Sequence, residues 1–576
     1  MKKMKKLSIY IIGMAVSLSA CDFLETDTFD ELSESNVYNN LESCEAGLAG
    51  VYDPLSSTKL YGGNLIMDCD GGSDIMIYNK QYSIGMTKVY LNNYTPVDKT
   101  LDETWTELYK GINRANTYID AIKDKPLEAF GDDERTKQRL LAEAKGLRAL
   151  YYMNLVSLWG EVPLRLTPTT DLSSQKLARS PQIDIYNQII ADLQEAEKGC
   201  LPADELGGPG HMSQTTAQAL LARAYLWMSG YPVYADKWNE ALTYARKVRD
   251  SGLHELVQTR TGELYQRFEN GVLKEDNTNG YRVLFIDMCS DQYNWKESMF
   301  EAEMYSNDLN ITRESASIGL SNGITQGSGL DPENGFCYGF WNGSRILFRM
   351  YEDDDQRKWW NFSTYTFNRT VISENEEKAT KKYRTDKELD ESVKEGDAAK
   401  WRREYEVVRP VTQYSTSINC PIMRYSDVLL MLAEAANEVE GAPTQEAIDA
   451  VNEVRRRAGA SEVSLGDFTS DTFREFIRDE RARELCYEGN RKMDLRRWGK
   501  DYFMKRIRML ADQNTVADGS KYDKDMVGYP VAVSGEYAGT NIKAQPGIQL
   551  EDKHIYFPIP EAELNTNPIC GQNEGW

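Results

Sequence analysis

The chain has 576 residues and a formal net charge of −23, with 90 acidic and 67 basic side chains. So acidic a surface argues against nucleic acid and anionic lipid headgroups as partners, because both would repel it. The length is enough to bury an ample core without disulfides, in several domains or in one large repeat-built body.

The first predicted element is an export signal over residues 1–20, with lysines at its start and an apolar run behind them. This run is shorter than the roughly 20 apolar residues that a transmembrane span needs. The tetrapeptide Leu18-Ser19-Ala20-Cys21 resembles the bacterial lipobox, which predicts cleavage before Cys21 and lipidation of its thiol. An ordinary secreted protein is the alternative. Residues 21–35 are then an acidic tether, too short and too charged to fold alone.

Residues 36–252 are predicted to form the first part of a helical body, because apolar side chains recur there every three or four positions. The predicted helices are Leu41–Tyr52, Thr104–Ile122, Glu134–Trp159, Asp184–Lys198, Gln214–Met228 and Trp238–Val248. Residues 61–94 lack a helical period and are predicted to be a long structured loop, which is often functional. The helices come in pairs with small residues at close-approach positions, as in tetratricopeptide-like hairpins.

The pattern changes over residues 253–421, which are rich in Gly, Asn, Ser, Tyr and Trp and form a predicted loop-rich insertion. Val283–Ile286 is predicted to be a strand fragment, and the charge-dense run 380–403 a solvated excursion. Helices return over residues 422–498, and residues 499–576 are again predicted to be irregular. The returning helices are Ser426–Val439, Thr444–Ala458 and Thr472–Tyr487. The predicted fold class is mainly α, with about four hairpins and an irregular second half packed against them.

Nine cysteines and three histidines do not form a recognisable metal site. There is no CxxC pair and the histidines are isolated, so neither a zinc module nor a disulfide framework is predicted. Cys289 and Cys337 are candidates for a pair in an oxidising compartment. The adjacent acids Asp353, Asp354 and Asp355 are a candidate for a structural Ca²⁺ site through their oxygens. No other cofactor is predicted.

The basic run from Arg478 to Lys500 has two interpretations. It could bind phosphate or nucleic acid, but its arginines alternate with acids at three- and four-residue spacing, which favours ion pairs along helix faces. Enzymatic chemistry is disfavoured as well. A glycosidase needs two carboxylates about 5–9 Å apart, which sequence cannot show, and there is no nucleophile elbow, phosphate loop or zinc-protease motif.

Several stretches together resemble the SusD/RagB family of outer-membrane nutrient-binding lipoproteins. They are Ile112–Asn116, Glu143–Tyr152, Met423–Leu430, Ile477–Arg491, Asp494–Trp498 and Phe557–Pro560. The resemblance implies a non-catalytic protein, lipid-anchored on the outer face of the outer membrane, with no other membrane contact. It implies that the protein captures oligosaccharide or polysaccharide and passes it to a TonB-dependent, SusC-like transporter barrel. It also makes the acids before Arg357 a structural turn.

The aromatic composition fits such a ligand, with 34 tyrosines and 11 tryptophans against 16 phenylalanines. A ring lying under a sugar gives apolar contact, and a neighbouring Asp or Asn fixes its hydroxyls. In the family, binding residues come from the loop between the first two helices and from loops of the second half. The matching candidates are Asp74, Tyr78, Tyr82, Tyr90, Asn93, Tyr94, Tyr293, Trp295, Tyr305, Tyr338 and Trp341. Two alternatives stay open: each ring simply packs, or the protein is a scaffold that binds a peptide or only its partner barrel.

Overall fold

The computed structural model describes residues 37–78, 89–170, 176–269, 272–305, 316–326, 335–373, 376–383, 396–409, 411–412, 415–510, 547 and 550–576. The export signal, Cys21, the tether and Tyr82 lie outside the described residues. Within the described part the protein is mainly helical with short two-stranded sheets, which confirms the predicted class. None of the helices described combines the length and the apolar character required to cross a bilayer.

The first half of the chain contains the six predicted helices, of which Thr104–Ile122 begins five residues earlier than predicted, and two short helices, Asn64–Gly71 and Ala203–Leu206, that were not predicted. In chain order the helices are α1 (Leu41–Tyr52), α2 (Asn64–Gly71), α3 (Lys99–Ile122), α4 (Glu134–Trp159), α5 (Gln182–Gly199), α6 (Ala203–Leu206), α7 (Gln214–Ser229) and α8 (Trp238–Asp250). Local chemistry sets the ends of α4. The Asp133 side chain accepts hydrogen bonds from the N–H groups of Arg135 and Thr136, and Gly160 ends the helix at a φ of 74°.

Helices of the second half are shorter until residue 425. They are α9 (Gly280–Cys289), α10 (Arg345–Met350), α11 (Lys358–Asn361), α12 (Tyr425–Glu440), α13 (Gln445–Ala458), α14 (Ser470–Leu485), α15 (Arg491–Arg497), α16 (Lys500–Arg508) and α17 (Glu561–Thr566). The strands are β1 (Met76–Tyr78), β2 (Arg260–Glu269), β3 (Val272–Thr278), β4 (Ser298–Ala302), β5 (Trp341–Gly343), β6 (Tyr365–Ser373), β7 (Glu376–Tyr383) and β8 (Cys420–Arg424). Antiparallel pairs form between β1 and β5, β2 and β3, β4 and β8, and β6 and β7.

Four helix pairs stack side by side in the described part of the chain. The pairs are α1 with α3, α4 with α5, α7 with α8, and α12 with α13. Neighbouring pairs touch through α3 and α4, α5 and α7, and α8 and α12. The fourth pair therefore closes the stack although the irregular region separates it from the third in sequence. This is the predicted tetratricopeptide-like arrangement, in which each hairpin buries its apolar face against the next.

The second half of α4 is buried on every side. Each residue from Leu147 to Trp159 is buried, whereas the sequence indicated a single apolar face. Polar edges of its rings reach backbone partners on different sides: Tyr151 Oη donates to the Val51 carbonyl at 2.7 Å, and Trp159 Nε1 to that of Pro558 at 2.9 Å. The helix therefore lies between α1 and the C-terminal segment, and both cover it.

Three predictions of irregular or strand structure are wrong. Val283–Ile286 lies within α9, because a short apolar run does not distinguish a strand from a buried helix. Residues 61–94 contain α2, β1 and a 3₁₀ turn, Val89–Leu91. The segment after residue 499 contains α16 and α17. Each of these helices is short, so the periodicity that a longer helix would display is weak.

Of the run 380–403, the described residues 396–403 are buried, which contradicts the predicted solvated excursion there. Lys400 and Arg402 are buried, with Lys400 Nζ 2.6 Å from Glu488 Oε1 and the Arg402 guanidinium 3.7 Å from the Trp360 ring. The suggested pairing of Cys289 and Cys337 is wrong, since both are free, buried thiols. Their sulfurs accept hydrogen bonds from the backbone of Arg402 and Gly339.

Three arginines converge on one buried glutamate at the junction between the second half and the helix stack. Glu484 lies 2.9 Å from Arg424, 3.1 Å from Arg357 and 2.5 Å from Arg457. Burial alone would raise the pKa of Glu484, but Arg457, Arg424 and Arg357 lower it to about 2. Arg357 also pairs with buried Asp355 at 2.7 Å, which makes the acidic turn structural as predicted.

The basic run from Arg478 to Lys500 is an ion-pair network, as its alternating charges predict. Many of its partners, however, are remote in sequence. Arg481 contacts Asp427 of α12 at 2.6 Å, and Arg497 contacts Glu434 of the same helix at 2.6 Å. The run therefore fastens α14 and α15 to the stack through buried charge pairs, which local spacing cannot reveal.

Candidate functional site

A buried acid fixes the chain segment that leads into the candidate site. Asp74 follows α2 and is 0% exposed. Its carboxylate contacts Arg491 Nε at 2.7 Å and Nη2 at 2.9 Å, and Arg506 Nε at 2.7 Å. Burial would raise the pKa of Asp74, but the two guanidinium groups hold it well below its usual range.

A second acid, Asp70, ties the same segment to the backbone of the motif that contains Arg491. Its carboxylate accepts hydrogen bonds from the N–H groups of Gly489 at 2.9 Å and Arg491 at 3.0 Å. Burial raises the pKa of Asp70 to about 7, although these two donors lower it. Residues 70–74 are therefore held in place from two sides before β1 begins.

Strand β1 then pairs with β5 and brings the two halves of the chain together. Tyr78 lies opposite Trp341, Ile77 opposite Asn342, and Met76 opposite Gly343. Buried Ser344 continues the contact, since its Oγ donates to the Asp74 carbonyl at 2.6 Å. Two regions that the sequence nominated separately therefore meet at one place.

Five half-buried rings form a continuous line at this junction, which we call the aromatic row. Its members, in spatial order, are Phe336, Tyr338, Phe340, Tyr78 and Tyr90. Successive ring centroids lie 4.6, 4.7, 5.8 and 4.7 Å apart. The last three of these pairs are stacked, with interplanar angles of 14°, 28° and 11°. The row brings five half-buried rings, three of which carry a phenolic hydroxyl, into contact with one another.

Trp341 packs against the buried side of the aromatic row. It is 3% exposed and meets Tyr78 and Tyr90 edge-on, at centroid distances of 5.2 and 4.7 Å. Its predicted role as a direct ligand contact therefore needs correction, because the ring is covered by the two tyrosines. Such edge-to-face packing fixes the orientation of both.

The rings of the segment 336–340 occupy alternate positions, although the segment is not a regular strand, since Gly335 and Gly339 have φ values of +71° and +56°. Phe336, Tyr338 and Phe340 alternate with buried Gly335, Cys337 and Gly339. The Tyr338 and Phe340 N–H groups donate to the carbonyls of Leu320 and Ser321, at 2.8 and 3.0 Å. Sequence reasoning missed Phe336 and Phe340, and the two-residue spacing around Tyr338 was the signal that could have found them.

Two other candidates are buried rather than exposed. Asp74 has both carboxylate oxygens engaged by arginines and closed to solvent, so it cannot reach a ligand directly. Tyr94 is 3% exposed and stacks on Trp576 with centroids 5.3 Å apart. Asp74, through Arg491 and Arg506, and Tyr94, through Trp576, therefore pack against the C-terminal part of the chain. Asn93, the neighbour of Tyr94 in sequence, is half-buried.

The remaining candidates lie apart from the aromatic row. Tyr293 and Tyr305, exposed by 50% and 57%, line a separate cavity. Trp295 is half-buried and packs edge-on against His254 at 6.2 Å. The structure thus brings together Tyr78, Tyr90, Tyr338 and Trp341 and separates them from these three.

The acidic run before Arg357 does not converge on a common point. Asp355 pairs with Arg357, Asp354 accepts a hydrogen bond from the Ser461 N–H at 2.9 Å, and the Asp353 side chain is exposed. Within the described ranges, no group of three or more His, Cys, Asp or Glu side chains is arranged to hold a metal.

Comparison with known proteins assigns the chain to a family. The SusD family profile matches residues 263–576, more than half of the sequence. The chain belongs to the SusD family. A second profile, described as starch-binding and associating with the outer membrane, matches residues 22–226. Between them, the two SusD-type profiles include both segments that form the aromatic row.

Relatives of similar length support this SusD assignment. The chain is 24% identical to SusD-like protein P25 of Formosa agariphila, over 99% of this chain and 98% of that one. A crystal structure of a SusD homologue from Bacteroides thetaiotaomicron, also 24% identical, superposes with a TM-score of 0.77 over 96% of this chain and 100% of that chain. A laminarin-binding SusD-like protein, 22% identical, gives 0.59 over 94% and 100%.

Proposed function

We propose that the protein is a glycan-binding lipoprotein of the cell surface, anchored through Cys21. It captures an oligosaccharide or polysaccharide and delivers it to a TonB-dependent, SusC-like barrel in the outer membrane. It carries out no chemistry on the glycan. The membrane contact is the lipid anchor alone, and neither a cofactor nor a nucleic acid takes part.

The aromatic row is the observation that carries this proposal. Centroid spacings of 4.6–5.8 Å are close to the length of one pyranose unit. A glycan chain lying along the row would place its C–H faces on ring carbons and its hydroxyls near the phenolic oxygens. The row is also anchored by backbone hydrogen bonds and by Trp341, so little ordering of the protein is needed on binding.

The comparisons support the same class of ligand. A family profile matching the first half of the chain is described as starch-binding, and one structural relative is described as laminarin-binding. Starch and laminarin are both neutral glucans, which fits a row of rings with no charged side chain among its members.

A glycan panel tests the proposal with the purified chain that begins after the signal. We expect one or more neutral glycans to bind in the micromolar to millimolar range by calorimetry, and we expect Tyr338→Ala to weaken that binding. Tyr234→Ala removes a ring that is 64% exposed elsewhere and serves as the matched control. If no glycan binds but the partner barrel does, the chain is a scaffold or lid of the transporter instead.

A further inference from the structure

A second cavity of about 660 Å³ opens away from the aromatic row. It lies where the end of α1, the segment before α7 and the end of β4 meet. Side chains that can engage a ligand there are Asp53, Arg114, His211, Asp291, Tyr293, Glu301, Glu303 and Tyr305. None of the rings of the aromatic row lines it, so the cavity is a separate site.

Both positive groups in this cavity already have partners. Arg114 forms an ion pair with Asp53. His211 Nδ1 lies 2.9 Å from Glu143 Oε2, and this hydrogen bond raises the pKa of His211. Arg114 is thus paired with Asp53, which lines the cavity, and His211 with Glu143, which does not.

Three acids in the cavity form no ion pair with another described residue, although His211 is near enough to lower the pKa of Glu303. Glu303 is exposed and forms no ion pair within the described part of the chain. Asp291 accepts a hydrogen bond from the hydroxyl of Tyr293 at 3.3 Å, its only side-chain partner among the residues that the structure describes. Glu301 is 3% exposed, and its Oε2 accepts a hydrogen bond from Asn419 Nδ2 at 2.9 Å. Its Oε1 has no hydrogen-bond partner among the residues described.

The surroundings of Glu301 and Glu303 disfavour the charged forms of both carboxylates. Burial, with Glu303 and Asp291 nearby, raises the pKa of Glu301 to about 7. Partial desolvation by the cavity wall and the charge of Asp291 likewise raise the pKa of Glu303, against the effect of His211. A positive charge inside the cavity would relieve this repulsion.

The exposed rings point to an organic cation rather than a metal ion. Tyr293 and Tyr305 present large apolar surfaces beside the acids, and aromatic rings attract ammonium groups. The described acids and histidines include no group arranged to coordinate a metal. A cavity of this size also exceeds what a bare ion occupies.

We propose that this cavity binds a small organic molecule through a protonated primary amine, with Glu303 as its counter-ion and Tyr293 and Tyr305 beside it. Amino sugars and polyamines both carry this group. The site acts independently of the aromatic row, so the proposal goes beyond glycan capture and does not rest on it.

Two amines and two neutral analogues test the proposal by titration calorimetry at low ionic strength. Glucosamine and spermidine supply the ammonium with and without a sugar ring, and N-acetylglucosamine and glucose supply the ring without the charge. We expect one or both amines to bind and the neutral sugars not to compete. Glu303→Gln should weaken amine binding about tenfold, the value of one charge-assisted hydrogen bond. Tyr305→Ala should also weaken it.

Tyr338→Ala is the control, because it alters the aromatic row and leaves the cavity intact. Equal affinity for glucosamine and N-acetylglucosamine would overturn the proposal, as would full retention of amine binding in a folded Glu303→Gln variant. Absence of binding by both amines would overturn it too. These outcomes are independent of the neutral-glycan panel, which responds to Tyr338→Ala and not to Glu303→Gln.

Discussion

Asp74 and Arg491 form a two-point ion pair that is closed to solvent and joins positions 417 residues apart. The acid precedes the strand that ends at Tyr78, and the arginine is the last residue of the motif Ile477–Arg491 and the first residue of α15. One buried pair thus connects a motif that carries the family resemblance to the segment that contributes Tyr78 to the aromatic row.

Removing this acid should destabilise the whole protein. Asp74→Asn leaves buried Arg491 without its counter-ion and half-buried Arg506 with only Asp479, at 3.5 Å. We therefore expect the free energy of unfolding to fall by about 3–5 kcal/mol. Urea denaturation followed by circular dichroism measures the change. Glu205→Gln breaks the exposed pair with Arg135 and is the control, with an expected loss below about 1 kcal/mol. Equal losses in both variants would contradict the role given to Asp74.

Acid should weaken the fold through carboxylates such as Glu434. Its oxygens contact Arg497 at 2.6 and 2.8 Å and Trp498 Nε1 at 2.9 Å. Burial would raise the pKa of Glu434, but Arg497 lowers it to about 2. Because this folded value lies below the unfolded one, the stabilisation is complete above about pH 4.5 and is lost as the pH falls towards 2.

The matched experiment compares unfolding free energies of the wild type and Glu434→Gln between about pH 6 and pH 2. We expect the wild-type advantage to shrink by about 3 kcal/mol over that interval. A difference that stays constant with pH would show that Glu434 does not titrate as its contacts require.

Replacing Tyr338 of the aromatic row should mainly affect glycan affinity, whereas replacing Trp341 beneath it should mainly affect stability. Tyr338→Ala removes a half-buried ring, so we expect glycan affinity to fall about five- to tenfold with little change in unfolding. Trp341→Ala removes the buried support and should cost about 3–5 kcal/mol of stability. Calorimetry and thermal unfolding distinguish the two, and an unchanged affinity for Tyr338→Ala would place the ligand elsewhere.

Gly339 allows a test of ring position without loss of a ring. Its φ is +56°, and a Cβ there would collide with Thr325. Gly339→Ala should therefore cost at least about 1–2 kcal/mol and shift Phe340 relative to Tyr338. We expect weaker glycan binding, measured beside Gly207→Ala, where φ is also positive but nothing lies within reach. Equal affinity in both variants would show that the row tolerates displacement.

The anchor is tested by Cys21→Ala. We expect the variant to fold and to bind glycan in solution with wild-type affinity, but to be missing from the cell surface. Surface proteolysis of intact cells followed by fractionation measures its location. A variant that remains on the surface would contradict lipidation at this cysteine.

Long helices could be predicted because their apolar period is strong. Glu134–Trp159 has the predicted boundaries, and the four-pair stack follows from such helices. The rings that meet in the aromatic row could be nominated from composition and position, but their contacts depend on pairing of β1 with β5 across most of the chain. Neither strand exceeds 3 residues, which is too short for alternation to reveal a partner.

Burial could not be inferred for the polar candidates. Asp74 and Asn93 look equally suited to bind a hydroxyl, and only the distant Arg491 and Arg506 separate them. Likewise, Tyr305 and Tyr338 are the same residue type, yet Tyr305 lines the cavity that contains Glu301 and Glu303, and Tyr338 is a member of the aromatic row. Long-range contacts decide each case, and a single sequence does not display them.

Glu484 and its three arginines should tolerate substitution much less readily than the rings of the aromatic row. A substitution at any one of these four positions would leave a buried charge without its partner. Substitutions at this junction would therefore have to occur in compensating pairs. Replacing a single half-exposed ring in the aromatic row carries no such penalty. Descendants of this chain can therefore acquire new ligands one residue at a time while inheriting the skeleton unchanged.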